Sequence, residues 1–261
     1  MIPFFFGVGQ RRLFGVYDAA NETVGSNPRA VVFCYPWGAE YLHAHRSLRQ
    51  LASKLSLAGC HTLRFDYFGT GDSSGEMTDA DLSGWQDDIE TAIEELQDST
   101  GAKSVVLIGL RLGATLAASV VARRRKDVEA LVLWDPVVKG DIYLEALGLV
   151  SDSRVQSADA PTGQQSERIH HIGGFPLTSR MEHELKTLDL IKSMEALSTN
   201  TLIVMSERLR YYDALQLSVN NLSNKSVSLQ HFDDLPAWVE RPDNAGVVPI
   251  KVLNHIVSWL K

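Results

Sequence analysis

The chain has 261 residues, 44% of them hydrophobic, and a formal net charge of −7. That apolar content excludes a disordered chain, and the length suits one large α/β domain or two small ones. The acidic balance, with a single basic cluster at Arg123-Arg124-Arg125-Lys126, argues against a nucleic-acid partner, which would need a broad basic face.

Ile2 to Val8 is apolar but too short for a membrane span, and no basic residue precedes it. With the strand-like run Arg11 to Tyr17 it predicts an N-terminal hairpin rather than a signal peptide. Ala30 to Tyr35 reads as a buried strand ended by Pro36. After Trp37-Gly38-Ala39-Glu40 a helix presents Leu48, Leu51, Ala52 and Leu55 on one face, with Gly59 at C′. Thr62 to Tyr67 is the next strand, and Phe68 to Gly75 the loop leaving it. That loop is not a dinucleotide site: its last glycine comes one residue late, and no helix opens there to meet a pyrophosphate. A second helix buries Leu82, Trp85, Ile89, Ile93 and Leu96. The two cysteines, Cys34 and Cys60, lie in strand-like stretches without metal-ligand spacing. This predicts a reducing, cytoplasmic setting, no disulfide framework, no metal and no cofactor.

Val105 to Leu110 is a β-branched run that stops at a glycine pair, Gly109 and Gly113, and an alanine-rich helix follows at once. Lacking Cβ atoms, these glycines permit a sharp reversal and close packing of helix on strand. Between them stands Arg111, whose guanidinium can neither attack a carbonyl nor serve as a base. The basic cluster falls at the end of this helix, where cations favour the dipole. Ala130 to Trp134 is a further strand, ending in Asp135-Pro136. The alternation predicts an α/β, doubly wound, mostly parallel sheet.

Residues 137–200 then show no convincing strand. They read as a helical lid insertion with a polar tip, Ser151 to Glu167. One lid helix runs from Ser179 to Ile191 with Met181, Leu185 and Leu188 inward, and Ser179 and Glu182 have capping-box spacing. Residues 1–136 and 201–261 form the core. The sheet resumes at Thr201 to Met205 and Ser226 to Gln230, and a helix through Val252, Ile256, Trp259 and Leu260 closes the chain.

Over nearly its whole length the chain resembles the α/β-hydrolase superfamily. Gly109 to Gly113 looks like the nucleophile elbow G-x-S-x-G with arginine at its centre. Phe65 to Ser73 is similar to the family's F-D-x-x-G-x-G-x-S loop, and Tyr35-Pro36-Trp37-Gly38 sits where its H-G oxyanion loop lies. At finer grain the chain resembles bacterial serine-aminopeptidase-like hydrolases of the exosortase-associated type, some of which carry G-L-R-x-G-A at the elbow. The resemblance implies that Arg111 occupies the nucleophile position. It places the acid at Asp135, or at Glu207 or Asp213, and the histidine at His231. Asp66 and Asp72 would hold loop backbone.

For Arg111 two readings stand side by side. One is an internal ion pair with Glu40 and Asp135. The other is an anion site formed with the helix N-terminal amides of Leu112 and Gly113, where Trp37, Gly38, Glu40 and Leu112 would contact the ligand. Cys34 reads as an inert buried thiol. His231, His61 and His255 read as structural, and His170-His171 and His183 lack metal-ligand spacing. The first expectation for function is a non-catalytic binder of an anionic small molecule in a lidded cleft. A second is a slow ester, thioester or amide hydrolase using water activated by His231 with Asp135 or Glu207. A third is a protein-interaction component docking through exposed Trp238 and Tyr211-Tyr212.

Overall fold

A computed structural model describes residues 1–24, 28–124, 126–148, 169–208, 211–222, 226–241 and 246–261. In chain order the first elements are β1 (Ile2–Phe6), β2 (Leu13–Asp18), β3 (Arg29–Cys34), α1 (Ala39–Leu57) and β4 (Cys60–Phe65). A 3-10 turn at Met77–Asp79, α2 (Leu82–Thr100), β5 (Val105–Leu110), α3 (Leu112–Arg123) and β6 (Val128–Trp134) follow. Then come α4 (Gly140–Ala146), β7 (Ile169–Ile172), β8 (Phe175–Thr178), α5 (Ser179–Thr187) and α6 (Leu190–Glu195). The chain closes with β9 (Asn200–Met205), α7 (Tyr212–Asn221), β10 (Val227–His231) and α8 (Ile250–Trp259).

Eight strands form one sheet in the order β1-β2-β4-β3-β5-β6-β9-β10. The six strands from β4 to β10 run parallel, while β1 and β2 form the predicted antiparallel hairpin at one edge. Parallel strands joined by helices must be covered on both faces, and β5 is accordingly buried at every position. Helices α2 and α3 pack together, as do α1 and α8. Trp85, Trp134, Phe33 and Phe65 are among the largest fully buried side chains. No helix among the described residues is long and apolar enough to cross a membrane.

The helix readings hold where periodicity was strong. α1 ends at Ala58 with Gly59 at φ 90°, and α2 buries the five residues named for it. The basic cluster does end α3, where Arg123 pairs with Glu90 at 2.9 Å and Arg124 with Glu94 at 2.7 Å; Arg125 lies outside the described residues.

Residues 137–200 depart from expectation in three ways. They contain a two-stranded sheet, with Ile172 paired to Phe175 across Gly173-Gly174. Both glycines have positive φ, as a two-residue hairpin turn requires. The strands have four residues each and β7 reads Ile-His-His-Ile, too short and irregular to show a period of two. The N-cap of α5 is Thr178, whose side chain accepts from the Met181 N–H, not Ser179. Finally, the helix expected through Ile191 breaks at Leu188, and Asp189 caps a separate α6. The polar tip Ser151 to Glu167 lies outside the described residues.

Candidate active-site crevice

From β3 the chain crosses to β4 on one side, and β5 later enters on the other. The carboxyl ends of β3 and β5 therefore flank the point where the winding reverses, the place where open α/β sheets leave a crevice. Arg111 stands there, in the single-residue turn between β5 and α3. Its φ of 54° and ψ of −121° lie outside the regions that non-glycine residues ordinarily adopt. Several contacts hold this backbone. Its N–H donates to the Trp134 carbonyl at 3.0 Å, and its carbonyl accepts from Ala114 at 3.1 Å and Val137 at 3.3 Å. The flanking glycines are required by contact. A Cβ on Gly113 would stand 2.2 Å from the Cys34 carbonyl oxygen, and one on Gly109 would stand 2.3 Å from Ala114 Cα.

Arg111 and Glu40 are both buried. Arg111 Nε donates to Glu40 Oε1 at 2.9 Å, and Tyr143 Oη donates to Glu40 Oε2 at 3.0 Å. Glu40 lies in the first turn of α1, where a carboxylate also meets the positive end of the helix dipole. Arg111 Nη1 donates to the Asp135 carbonyl at 3.1 Å and to Tyr211 Oη at 3.3 Å. The Trp238 ring covers the guanidinium carbon at 3.9 Å, a cation–π distance. Burial opposes the charge on Arg111, but Glu40, followed by Tyr211 and Tyr143, outweighs it and holds the guanidinium above its ordinary value.

Asp135 joins this group differently from the ion pair anticipated for it. Its carbonyl, not its carboxylate, meets Arg111. Oδ1 accepts the Ser206 N–H at 2.6 Å and Oδ2 the Trp238 indole N–H at 3.1 Å. Burial pushes its carboxyl up, while Ser206, Arg111 and Trp238 pull the other way.

Beside the arginine opens a cavity of about 410 Å³. Arg111 and Glu40, both buried, line it together with Ile142, Tyr143 and Leu147 on or just after α4, and with Trp238. Trp37 and Gly38, expected beside Glu40 at the ligand, instead line a separate cavity of about 150 Å³, closed by Phe175 and Trp85. Positive φ at Gly38 turns the chain there, so Trp37 and Glu40 serve different spaces. Leu112 is buried at the start of α3 and does not line either cavity.

His231, at the end of β10, is half-buried and meets the Tyr212 ring edge-on at 5.5 Å. It does not line the cavity of Arg111. Glu207 is half-buried and Asp213 exposed on α7. His61 and His255 have the structural settings expected of them, and of the two loop acids Asp66 holds loop backbone, whereas Asp72 contributes its own N–H. His61 Nδ1 pairs with Tyr17 Oη at 2.6 Å and His255 packs on Phe232. Asp66 accepts from the Asp72 N–H at 3.0 Å and from Tyr41 Oη at 2.8 Å. Cys34 is fully buried, and burial pushes its thiol up.

Sequence reasoning missed Tyr143 and Ser206. It misjudged Trp238 and Tyr211-Tyr212 as exposed docking residues: Trp238 and Tyr211 are half-buried against Arg111, and Tyr212 is buried. Aromatic residues in polar loops look exposed until a buried cation supplies a partner for ring and hydroxyl.

A family model described as "Serine aminopeptidase, S33" matches residues 26–171. The (lyso)-N-acylphosphatidylethanolamine lipases of Bos taurus and Homo sapiens are 38% and 37% identical over 82 residues, 31% of this chain. The match spans only 24% of the length of those curated relatives. A structure of Est1E from Butyrivibrio proteoclasticus with ferulic acid bound is similar, with a TM-score of 0.72 at 16% identity, covering 98% of this chain and 97% of that one. The Paleococcus ferrophilus monoacylglycerol lipase gives 0.64 at 15%, covering 95% and 98%. Mouse alpha/beta hydrolase domain-containing protein 10 gives 0.63 at 12%, covering 100% and 98%. At such identities these structures speak for the fold, which is that of the α/β-hydrolases.

Proposed function

We propose, for a chain that belongs to the Serine aminopeptidase, S33 family, that Arg111 occupies the position of the serine nucleophile. The protein then binds an anionic small molecule in its crevice without hydrolysing it. The observation that carries this reading is the inventory of Arg111 donors. Nε and Nη1 have protein acceptors, whereas no acceptor for Nη2 is found among the described residues. Arg111 at the same time lines the 410 Å³ cavity. A guanidinium edge facing a space lined by apolar groups together with Glu40, Lys139 and Glu145 suits a carboxylate or a similar planar acceptor. The ligand's apolar body would lie along Val137, Ile142 and Leu147 beneath Trp238. In this reading residues 137–200 act as the lid, since α4 supplies one wall of the cavity.

Two features support the absence of serine-type chemistry. The Asp135 carboxylate is engaged by Ser206 and Trp238 rather than by a histidine, and His231 packs on Tyr212. A triad needs nucleophile, base and orienting acid in mutual reach.

The test is calorimetric titration with ferulate, cinnamate and octanoate, each beside its primary amide, together with an assay on p-nitrophenyl acetate. At least one acid will bind tighter than its amide, and the double variant Arg111→Met/Glu40→Gln, which removes both charges together, will lose that preference. The ester will not be turned over above the buffer rate. Failure of every acid to bind, or hydrolysis abolished by changing Arg111 or His231, would overturn the reading.

A further inference from the structure

We propose that the second cavity, the one lined by Trp37, binds a small neutral aromatic molecule whose hydrogen-bond acceptor, such as a ketone oxygen, takes the Trp37 indole N–H. This site is separate from the crevice of Arg111, and the two cavities share no lining residue among those described.

The cavity holds about 150 Å³ between the loop after β3, the start of α1, the loop after β4 and the β7–β8 hairpin. Its walls are aromatic, with Trp37, Tyr41, Tyr67, Trp85 and Phe175 among them, and no charged residue lines it among those described. Leu42 lines it too and is exposed, which puts one end of the cavity at the surface. An apolar cavity of about this size stays dry and takes up benzene.

The polar tips of the rings add selectivity. Tyr41 Oη donates to Asp66 Oδ1 at 2.8 Å, and Trp85 Nε1 to the Phe68 carbonyl at 3.0 Å. Trp37 is only 3% exposed, yet its indole N–H finds no acceptor among the described residues. A buried indole N–H ordinarily has a partner, because an unmet donor keeps the full penalty of leaving water. The buried Tyr67 hydroxyl likewise finds no oxygen or nitrogen partner among the described residues and has the Cys34 thiol, a weak partner, beside it. These groups define the ligand. Its flat ring meets the aromatic walls face-on or by edge. Its oxygen accepts from Trp37. It is neutral, because an ion would shed its water here without a counter-charge.

The test follows the five tryptophan indole N–H signals by nuclear magnetic resonance during titration with acetophenone, α-methylstyrene and benzoate. The first two share a shape, but the alkene lacks the acceptor. Acetophenone will shift the Trp37 signal, identified by its loss in Trp37→Phe, and its ring protons will show contacts to that N–H. The alkene will bind about fivefold to tenfold more weakly, and benzoate will leave the signal unmoved. In Trp37→Phe, which keeps a ring but removes the N–H, ketone and alkene will bind alike. Ring contacts to an indole N–H together with those to Tyr41 and Phe175 locate the ligand in the unaltered protein, whether or not the variant folds. Acetophenone that does not bind, that contacts Trp238 and Tyr143 instead, or that binds no tighter than the alkene overturns the inference. None of these outcomes bears on acid binding at Arg111.

Discussion

Glu40 and Arg111, 71 residues apart in the chain, are joined by one hydrogen bond of 2.9 Å between side chains that are 9% and 5% exposed. The pair links the first turn of α1 to the turn before α3, and with it the two sides of the crevice. A buried pair is costly to break because the surviving charge is left uncompensated. Glu40→Ala is therefore expected to lose about 3–5 kcal/mol in urea unfolding. The double variant Arg111→Met/Glu40→Ala will recover much of that loss. Equal destabilisation of the single and double variants would show that the pair's charge is not what matters.

Gly113 allows α3 to rest directly on the end of β3. Since a Cβ there would meet the backbone oxygen of Cys34 at 2.2 Å, no side-chain rotation relieves the clash. Gly113→Ala will cost about 3 kcal/mol or more, at the upper end of overpacking effects. Gly101→Ala, at a helix end with nothing within 4 Å of the added carbon, will cost less, although its φ of 71° still disfavours a side chain. Thermal melts of the two variants give the comparison.

On the reading proposed above, a serine placed at position 111 will not create a hydrolase. In Arg111→Ser the Asp135 carboxylate keeps its Ser206 and Trp238 donors, and His231 stays against Tyr212. Esterase activity on p-nitrophenyl acetate will remain well short of the about 10²–10⁴-fold that a positioned base contributes. A larger gain would place a working base within reach of position 111.

Asp66 gives a pH signature for the fold. Burial pushes its carboxyl above the ordinary 3.8, against the donors Asp72 N–H and Tyr41 Oη. A group whose folded value is raised binds more protons folded than unfolded. Its contribution is complete below the unfolded value and is lost as pH rises through the folded one. Relative to Asp66→Asn, the unaltered protein will thus lose stability as pH climbs from about 4 towards neutrality. Urea unfolding across that range measures it, and an unaltered protein that gains stability over Asp66→Asn as pH rises would contradict the assignment.

The elements legible in the sequence are those written in local chemistry. Val105 to Leu110 could only be a buried strand, Gly109 and Gly113 could only mark a close turn, and Gly59 had the position of a helix terminator. The structure places all of them as predicted. The hairpin β7–β8 was missed even though Gly173-Gly174 signalled its turn, because four-residue strands carry too few positions for a period to show.

The sequence by itself determined the fold and the presence of a fixed cation at its crevice, since strand periodicity, glycine placement and residue charge are properties of neighbours along the chain. Tertiary structure alone decided what surrounds that cation. Glu40, Tyr143, Asp135, Tyr211 and Trp238 reach Arg111 from five separate segments. Whether Asp135 offers its carboxylate or its carbonyl depends on which donors, Ser206 and Trp238, the fold brings to it first. Such choices arise from competition among distant groups for the same few hydrogen bonds, and no local pattern in the chain encodes their outcome.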